Sequence, residues 1–464
     1  LLVVSDPAEE LELRALARQA AANAALFDRA VEHGQRAVEL ATALGEDGER
    51  RRGIAALADI LLEGHQQRAL QLLNDAMSEP GMGPEAPGYV QVATLLAKAE
   101  MRVLNDKRAV ELADEVLPIA HLAGDDQLVL DLMITRAVSL ANMGRLLEPV
   151  VILTGALEVA HRRSLPDMAN RAAVNLSYAL APDDPSRAME VSRAAIELAK
   201  QQGVVWGIRY ILGNAADGAI ESGEWDWAME AIAEMDSLFT EPAEQIWFGT
   251  YVNVIRAYRG EDVRDATMAI YESSRGFDDA QYLAVGSYSH LVSALMRGDF
   301  DTVLRVAQEG VDLGGPGVDG AIYGARAAVW TGDAVTATRF RDAFSTSGTL
   351  RRTQAILATM DGGIAMLEGR TTDARARFAE AQRLTREMRT PFLLGLVDLD
   401  IAVTVAMEPA ERRRAVDEAR EIFTRLEADA LLARLDAAVA ADTGGEPAAT
   451  PSRRARTEEV PQEA

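Results

Sequence analysis

The stretch "AIESGEWDWAM", residues 219 to 229, runs from an apolar helix-forming segment into Gly223 and out again into a second amphipathic segment. Four other stretches follow the same plan: "LLEGHQQRAL" (61–70), "ALMRGDFDTVL" (294–304), "AVWTGDAVTAT" (328–338) and "AMLEGRTTDAR" (365–375). Aligned on Gly64, Gly223, Gly298, Gly332 and Gly369, each carries an apolar residue three positions before the glycine: Leu61, Ile220, Leu295, Val329 and Met366. Five positions after it stands a small or β-branched residue: Ala69, Ala228, Val303, Ala337 and Ala374. A helix that must stop and reverse within a few residues favours glycine at its end, because the left-handed conformation needed there costs glycine nothing. Glu224, Asp299, Asp333 and Thr371 are then placed to accept N–H bonds at the start of the next helix. Each stretch therefore reads as one helical hairpin bend, with a small residue that lets the paired helices approach closely.

Further turns near Asn105, Gly144, Asp183 to Asp184 and Gly260 fill the gaps, so the bends recur every 34 to 41 residues along most of the chain. A period of this length is the mark of helix-turn-helix solenoids. It also explains how 464 residues avoid the division into several compact domains that their number would otherwise require, since a solenoid core grows lengthwise. Period-2 strand runs are absent. The expected fold is all-α: an α-solenoid of about eleven helix-turn-helix repeats over residues 1–440, wound as a right-handed superhelix. Residues 441–464, poor in apolar side chains and rich in Pro, Gly, Glu and Thr, read as a disordered tail. Its small basic cluster, Arg453, Arg454 and Arg456, reads as a solvated patch.

The totals exclude several functions. A formal net charge of -25 disfavours polyanion partners, so neither nucleic acid nor an anionic membrane is expected to bind. With no cysteine there can be no disulfide, thiolate nucleophile or Cys-ligated metal, which is compatible with the cytoplasmic location expected here. The most apolar stretch, "FLLGLVDLDIAVTVAM" (392–407), carries Asp398 and Asp400 and falls short of the roughly 20 apolar residues that a spanning helix needs. The opening "LLVVSDPAEE" does not read as a secretory leader, and the chain reads as starting mid-protein.

Small-Gly-x-apolar bends with alanine in the second helix, as in "ILGNAADGAIESGEWDWAMEAI" (211–232), resemble tetratricopeptide repeats. "DEAREIFTRLEADALLARLDAA" (417–438) resembles the closing helices of the repeat region in large bacterial signalling proteins. Those join a P-loop ATPase module to a class III adenylate cyclase domain or to a LuxR-type DNA-binding domain. The matching positions are Ala419, Phe423, Leu426, Ala428, Leu432, Ala433 and Leu435. The resemblance implies a non-catalytic regulatory scaffold that takes a protein or peptide partner on its concave surface, and a homo-oligomer is compatible with it. A free-standing repeat adaptor is the alternative, and an enzyme with an unrecognised site a third reading.

Chemistry-bearing motifs do not assemble. A P-loop needs a lysine after a glycine-rich turn, and Lys98, Lys107 and Lys200 all lie elsewhere. "GPGVDG" (315–320) matches G-x-G-x-x-G but follows a helical stretch, and is expected to be a flexible loop between repeats. His33, His65, His121, His161 and His290 are too dispersed for metal-ligand spacing; His290 reads as a satisfied groove residue. The pairs Asp125–Asp126, Asp183–Asp184 and Asp278–Asp279 read as helix caps. No catalytic, cofactor-binding or metal residue is assigned. The densest aromatic cluster, Trp206, Tyr210, Trp225, Trp227, Trp247, Phe248 and Tyr251, reads first as core packing. Its alternative is a peptide-binding hot spot, with Arg209, Asn253 and Arg256 supplying polar contacts.

Overall fold

A computed structural model describes residues 4–24, 26–145, 147–202, 208–235, 242–277, 280–344, 350–404 and 409–442. Within them the chain is all-α, with 23 helices and no strand. The first four repeats pair α1 (Pro7–Asn23) with α2 (Phe27–Leu44), α3 (Asp47–Leu61) with α4 (Gln66–Met77), α5 (Tyr89–Arg102) with α6 (Asp106–Leu122), and α7 (Asp126–Asn142) with α8 (Leu147–Arg162). The middle repeats pair α9 (Pro166–Leu180) with α10 (Pro185–Gln202), α11 (Ile208–Ser222) with α12 (Trp225–Met235), α13 (Pro242–Tyr258) with α14 (Arg264–Ser274), and α15 (Ala280–Arg297) with α16 (Phe300–Leu313). Then come α17 (Gly320–Thr331) with α18 (Ala334–Phe344), α19 (Arg351–Leu367) with α20 (Thr371–Glu387), and α21 (Pro391–Val403) with α22 (Pro409–Arg425), closed by α23 (Asp429–Asp442). The result is eleven hairpins and a final helix among the described residues, the expected repeat solenoid.

The repeated bend works as its residues dictate. Leu61, Ile220, Leu295, Val329 and Met366 are all buried, and Ala69, Ala228, Val303, Ala337 and Ala374 are each 0% exposed, so these two positions form the seam of these five hairpins. Gly223, Gly298, Gly332 and Gly369 take left-handed φ values of 77°, 74°, 82° and 76°. Gly64 does not: there the chain turns through tight bonds from Gly64 N to Leu61 O and from His65 N to Leu61 O, which need no left-handed residue. At the Asn105 bend it is Leu104, with φ 62°, that adopts the left-handed geometry. Capping is also more selective than expected. Asp299 and Asp333 accept from the N–H groups of Thr302 and Thr336 at 3.3 and 3.0 Å. Glu224 instead pairs with Arg193, and Thr371 is the first helical residue behind an Arg370 cap that makes no side-chain bond.

"GPGVDG" is an ordered 3-10 turn (Gly315–Asp319) leading into α17, not a flexible loop. Its glycine serves close approach: a Cβ on Gly317 would come within 2.5 Å of the Gly310 carbonyl oxygen. No phosphate cradle is formed by such a backbone-to-backbone contact.

The apolar stretch from 392 has its own explanation. A helix that is hydrophobic all round must be surrounded, and ten of the thirteen residues of α21 are buried. It packs against α22 of its own hairpin, α20 of the preceding one, and also against α11 and α17, five and two repeats earlier. Among the described residues no helix is long and apolar enough to cross a membrane.

That long-range packing is one instance of a general pattern: bends within early repeats touch the starts of first helices several repeats later. The Tyr210 hydroxyl donates to Glu63 at 3.0 Å. Leu104 abuts Gly315. Arg351 pairs with Asp183 at 2.8 Å and Arg352 with Glu221 at 2.6 Å, while the Arg352 N–H donates to the Pro182 carbonyl at 2.8 Å. Phe392 sets its edge against Trp225 and Tyr258, with ring centres 5.1 and 4.8 Å apart. Gly223 receives Leu426, and Gly260 receives the start of α23. Successive turns of the superhelix therefore stack edge to edge.

Candidate functional site

The first helices carry a run of tyrosines and charged side chains. Tyr178 (α9), Asp217 and Glu221 (α11), Tyr251 and Tyr258 (α13), Tyr288 (α15), Tyr323 (α17) and Arg352 (α19) come from six successive repeats, and the charges of Asp217 and of Asp319, at the α17 start, act on Tyr178. The tyrosines form a ladder: Tyr251 stands edge-on to Tyr288 at 6.3 Å, and Tyr288 meets Tyr323 at 5.7 Å. Tyr251 and Tyr258 are buried, Tyr288 and Tyr323 are partly exposed, and Tyr178 is 60% exposed.

Asp217 is the hub. Its charge acts on Tyr178, Tyr251, Tyr258, Tyr288 and Tyr323. Burial, then the neighbouring Glu221 charge, raises its own pKa to about 7, with Arg352 opposing. Burial is likewise the first cause that pushes Tyr323 up to about 12. The Arg352 guanidinium is committed to Glu221, which leaves Asp217 and Asp319 with no hydrogen bond or ion pair among the described residues. Deeper in, Asp400 accepts from Arg326 Nε at 3.0 Å and from Trp330 Nε1 at 2.8 Å. Arg434 lies 3.8 Å from the Trp330 ring, its pKa lowered to about 10 by burial.

The aromatic cluster singled out in the sequence is core, not a free hot spot. Trp225 is 1% exposed and stacked on Tyr258; Trp247, Phe248, Tyr251 and Asn253 are buried. Trp227 is covered by the Arg193 guanidinium at 4.5 Å, and Arg256 pairs with Glu261 at 2.8 Å. Trp206 and the Arg209 side chain lie outside the described residues. Sequence reasoning missed Tyr178, Asp217, Tyr288 and Tyr323 because they are scattered over nearly 150 residues and only the winding brings them together. The available signal was their recurrence on first helices at repeat spacing.

The remaining candidates are dispersed, as their spacing implied. Lys98 pairs with Asp59 at 2.6 Å and Lys200 with Glu234 at 2.7 Å. His290 is not satisfied: it is 1% exposed, stacked on Tyr271 at 5.1 Å, and neither ring nitrogen has a hydrogen-bond partner. Burial, then the charges of Arg297 and Arg305, lower its pKa. His161 borders an apolar cavity of about 280 Å³ with Leu157, Pro166, Ala169, Ala173 and Val191. Asp125 and Asp184 cap helices through bonds from Leu128 N and Arg187 N, but Asp183 is spent on Arg351. Asp278–Asp279 lie outside the described residues. No group of three His, Asp or Glu among the described residues is placed to hold a metal ion.

No family model matches the chain, and neither does any curated protein. Among solved structures it is similar to a Rap protein complexed with competence and sporulation factor, at 12% identity and a TM-score of 0.49, over 82% of this chain and 98% of that one. It is also similar to the Cut9-Hcn1 hetero-tetramer of APC/C, at 12% identity and a TM-score of 0.48, over 95% of this chain and 90% of that one. Likenesses of this size carry no functional argument. The class of the protein, an all-α helical-repeat solenoid, rests on its own helices and bends.

Proposed function

We propose that this chain is a non-catalytic scaffold that binds a segment of a protein partner along the first helices of its superhelix. The observation that carries this reading is the exposed Tyr178 together with the partly exposed, paired Tyr288 and Tyr323, large aromatic groups presented by first helices of the middle repeats. Tyrosine supplies contact area at low entropic cost and a hydroxyl for hydrogen bonding, which suits recognition of a polypeptide. A solenoid provides such a row by adding one element per repeat.

The last hairpins resemble the repeat region of bacterial proteins that combine a P-loop ATPase with an adenylate cyclase domain. On that basis we assign the chain a cytoplasmic regulatory role, in which partner binding changes the activity or self-association of a nucleotide-using module in the same polypeptide. Two experiments test this. A random-sequence peptide array probed with the whole chain should select peptides whose binding is lost on Tyr178→Ala; no selection by any peptide overturns the scaffold reading. Following the reading frame upstream of the Leu1 codon should reach a P-loop and a cyclase-like domain, and a stop codon within a few residues overturns the regulatory assignment.

A further inference from the structure

We infer that this chain assembles head to tail with further copies of itself: the bare bends inside its late hairpins receive the bends between the early hairpins of a second copy, prolonging the contacts that already join its own turns. This goes beyond the peptide-binding reading and does not depend on it. Within one chain those contacts follow a single rule, in which a bend between later hairpins seats on a bend inside a hairpin several repeats earlier. Leu426, between α22 and α23, lies against Gly223, where a Cβ would meet it at 3.1 Å. Ala430 at the α23 start comes as close to Gly260, at 3.5 Å, and Phe392 at the α21 start meets Trp225 at 5.1 Å. A glycine with no side chain lets the next turn approach.

The rule runs out at both ends of the superhelix. Gly298, Gly332 and Gly369, the left-handed glycines of the α15–α16, α17–α18 and α19–α20 bends, have nothing within 4 Å of where a Cβ would stand, and Val335 beside Gly332 is 82% exposed. Where α11 packs on α21 and α13 on α23, α15 and α19 pack closely only on adjacent hairpins among the described residues. At the other end, Leu44 stands immediately before the left-handed Gly45, as Leu426 stands immediately before the left-handed Glu427. Leu426 is 4% exposed on its glycine; Leu44, the last residue of α2, is 39% exposed, and Leu122, the last of α6, is 87% exposed. Each free edge thus lacks what the other offers, and one chain carries both. Because the two edges differ, the contact is heterologous and does not stop at a dimer.

The test follows the mass of the whole chain by sedimentation at rising concentration. It uses about 0.15 M salt, where a screening length of about 8 Å limits the repulsion between chains of net charge -25. The mass should climb past that of a dimer. Leu44→Glu/Leu122→Glu removes one edge and Val335→Glu the other, and all three side chains are exposed, so the fold is kept. Each variant alone should stay monomeric at concentrations where the wild type associates. An equimolar mixture of the two should form dimers and nothing larger, because each supplies the edge the other lacks. A wild-type chain that stays monomeric or levels off at the dimer overturns the inference, and this reading needs no variant to fold. A variant that associates as the wild type does, or a mixture that stays monomeric, overturns it too.

Discussion

Replacing Phe392 by alanine should uncouple the last three helices from the middle of the solenoid. The side chain is 2% exposed and its ring edge meets Trp225 and Tyr258 at 5.1 and 4.8 Å. Truncating a core phenylalanine costs about 3–5 kcal/mol, and two aromatic pairs, each contributing about 0.5–1.5 kcal/mol beyond area, place this position toward the upper end. A loss of about 4–5 kcal/mol is a third or more of the stability of many proteins. Phe378 is an internal control: equally buried at 1% exposure, it packs on Gly362 within the α19–α20 hairpin, so its truncation should cost a similar amount without separating the turns. Urea unfolding followed by circular dichroism and tryptophan emission distinguishes the two. Phe392→Ala should give an early transition in which α21–α23 detach and Trp225 emission shifts to the red, while Phe392→Leu should lose only about 1–2 kcal/mol. If Phe392→Ala unfolds in one step within 1 kcal/mol of the wild type (roughly the noise of such comparisons), the contact between turns does not hold the molecule together.

Other expectations concern single sites. Gly362→Ala would bring a Cβ within 2.9 Å of the Phe378 ring and should cost about 1–3 kcal/mol. Adding Phe378→Leu should recover part of that loss but none of the cost of about 1–2 kcal/mol expected for Gly369→Ala, where the penalty is conformational (φ 76°) and nothing lies within 4 Å; chemical denaturation of the two double variants checks it. Asp398 is wholly buried, accepts from Gln382 at 2.6 Å, and has its pKa raised to about 8 by burial and the nearby Glu418, with Arg386 opposing. Because its folded pKa lies above the unfolded one, the native state holds the extra proton between about pH 4 and 8, and stability falls as pH rises through that window. Asp398→Asn removes the titration, so its stability relative to wild type should improve by on the order of 2–3 kcal/mol between pH 5 and 8; a pH-independent difference in urea midpoints would contradict the assignment. Asp299→Ala should lose the bond from Thr302 N and about 1 kcal/mol, measured by thermal unfolding.

The repeat was legible because many of the hairpins share the same local rules: a left-handed stop, a small residue five positions on, an apolar seam. Gly223, Gly298, Gly332 and Gly369 illustrate them, and the exceptions have local causes, the tight turn at Gly64 and the left-handed Leu104. The stacking of one turn on another was not legible, because it depends on which repeats meet after a turn of the superhelix. Trp225 and Phe392 lie 167 positions apart, and no periodicity pairs them. The same closure explains why the aromatic cluster proved to be core: the surface an open solenoid would offer a ligand is here covered by α21. It also accounts for the apolar run from 392, whose composition signalled burial on all sides without naming the neighbours.

The central claim, that the solenoid closes on itself, is tested most directly by bridging Asp183 and Arg351. Their side chains pair at 2.8 Å across 168 positions of sequence. The chain has no cysteine, so Asp183→Cys/Arg351→Cys contains the only two thiols, and the exposed ion pair it sacrifices contributes at most about 1 kcal/mol. A short bifunctional thiol reagent at low protein concentration should join them within one chain, giving a monomer of increased mobility in denaturing electrophoresis that each single-cysteine variant fails to give. If the folded double variant yields only singly modified monomer, the turns stand apart and the solenoid does not close on itself as described.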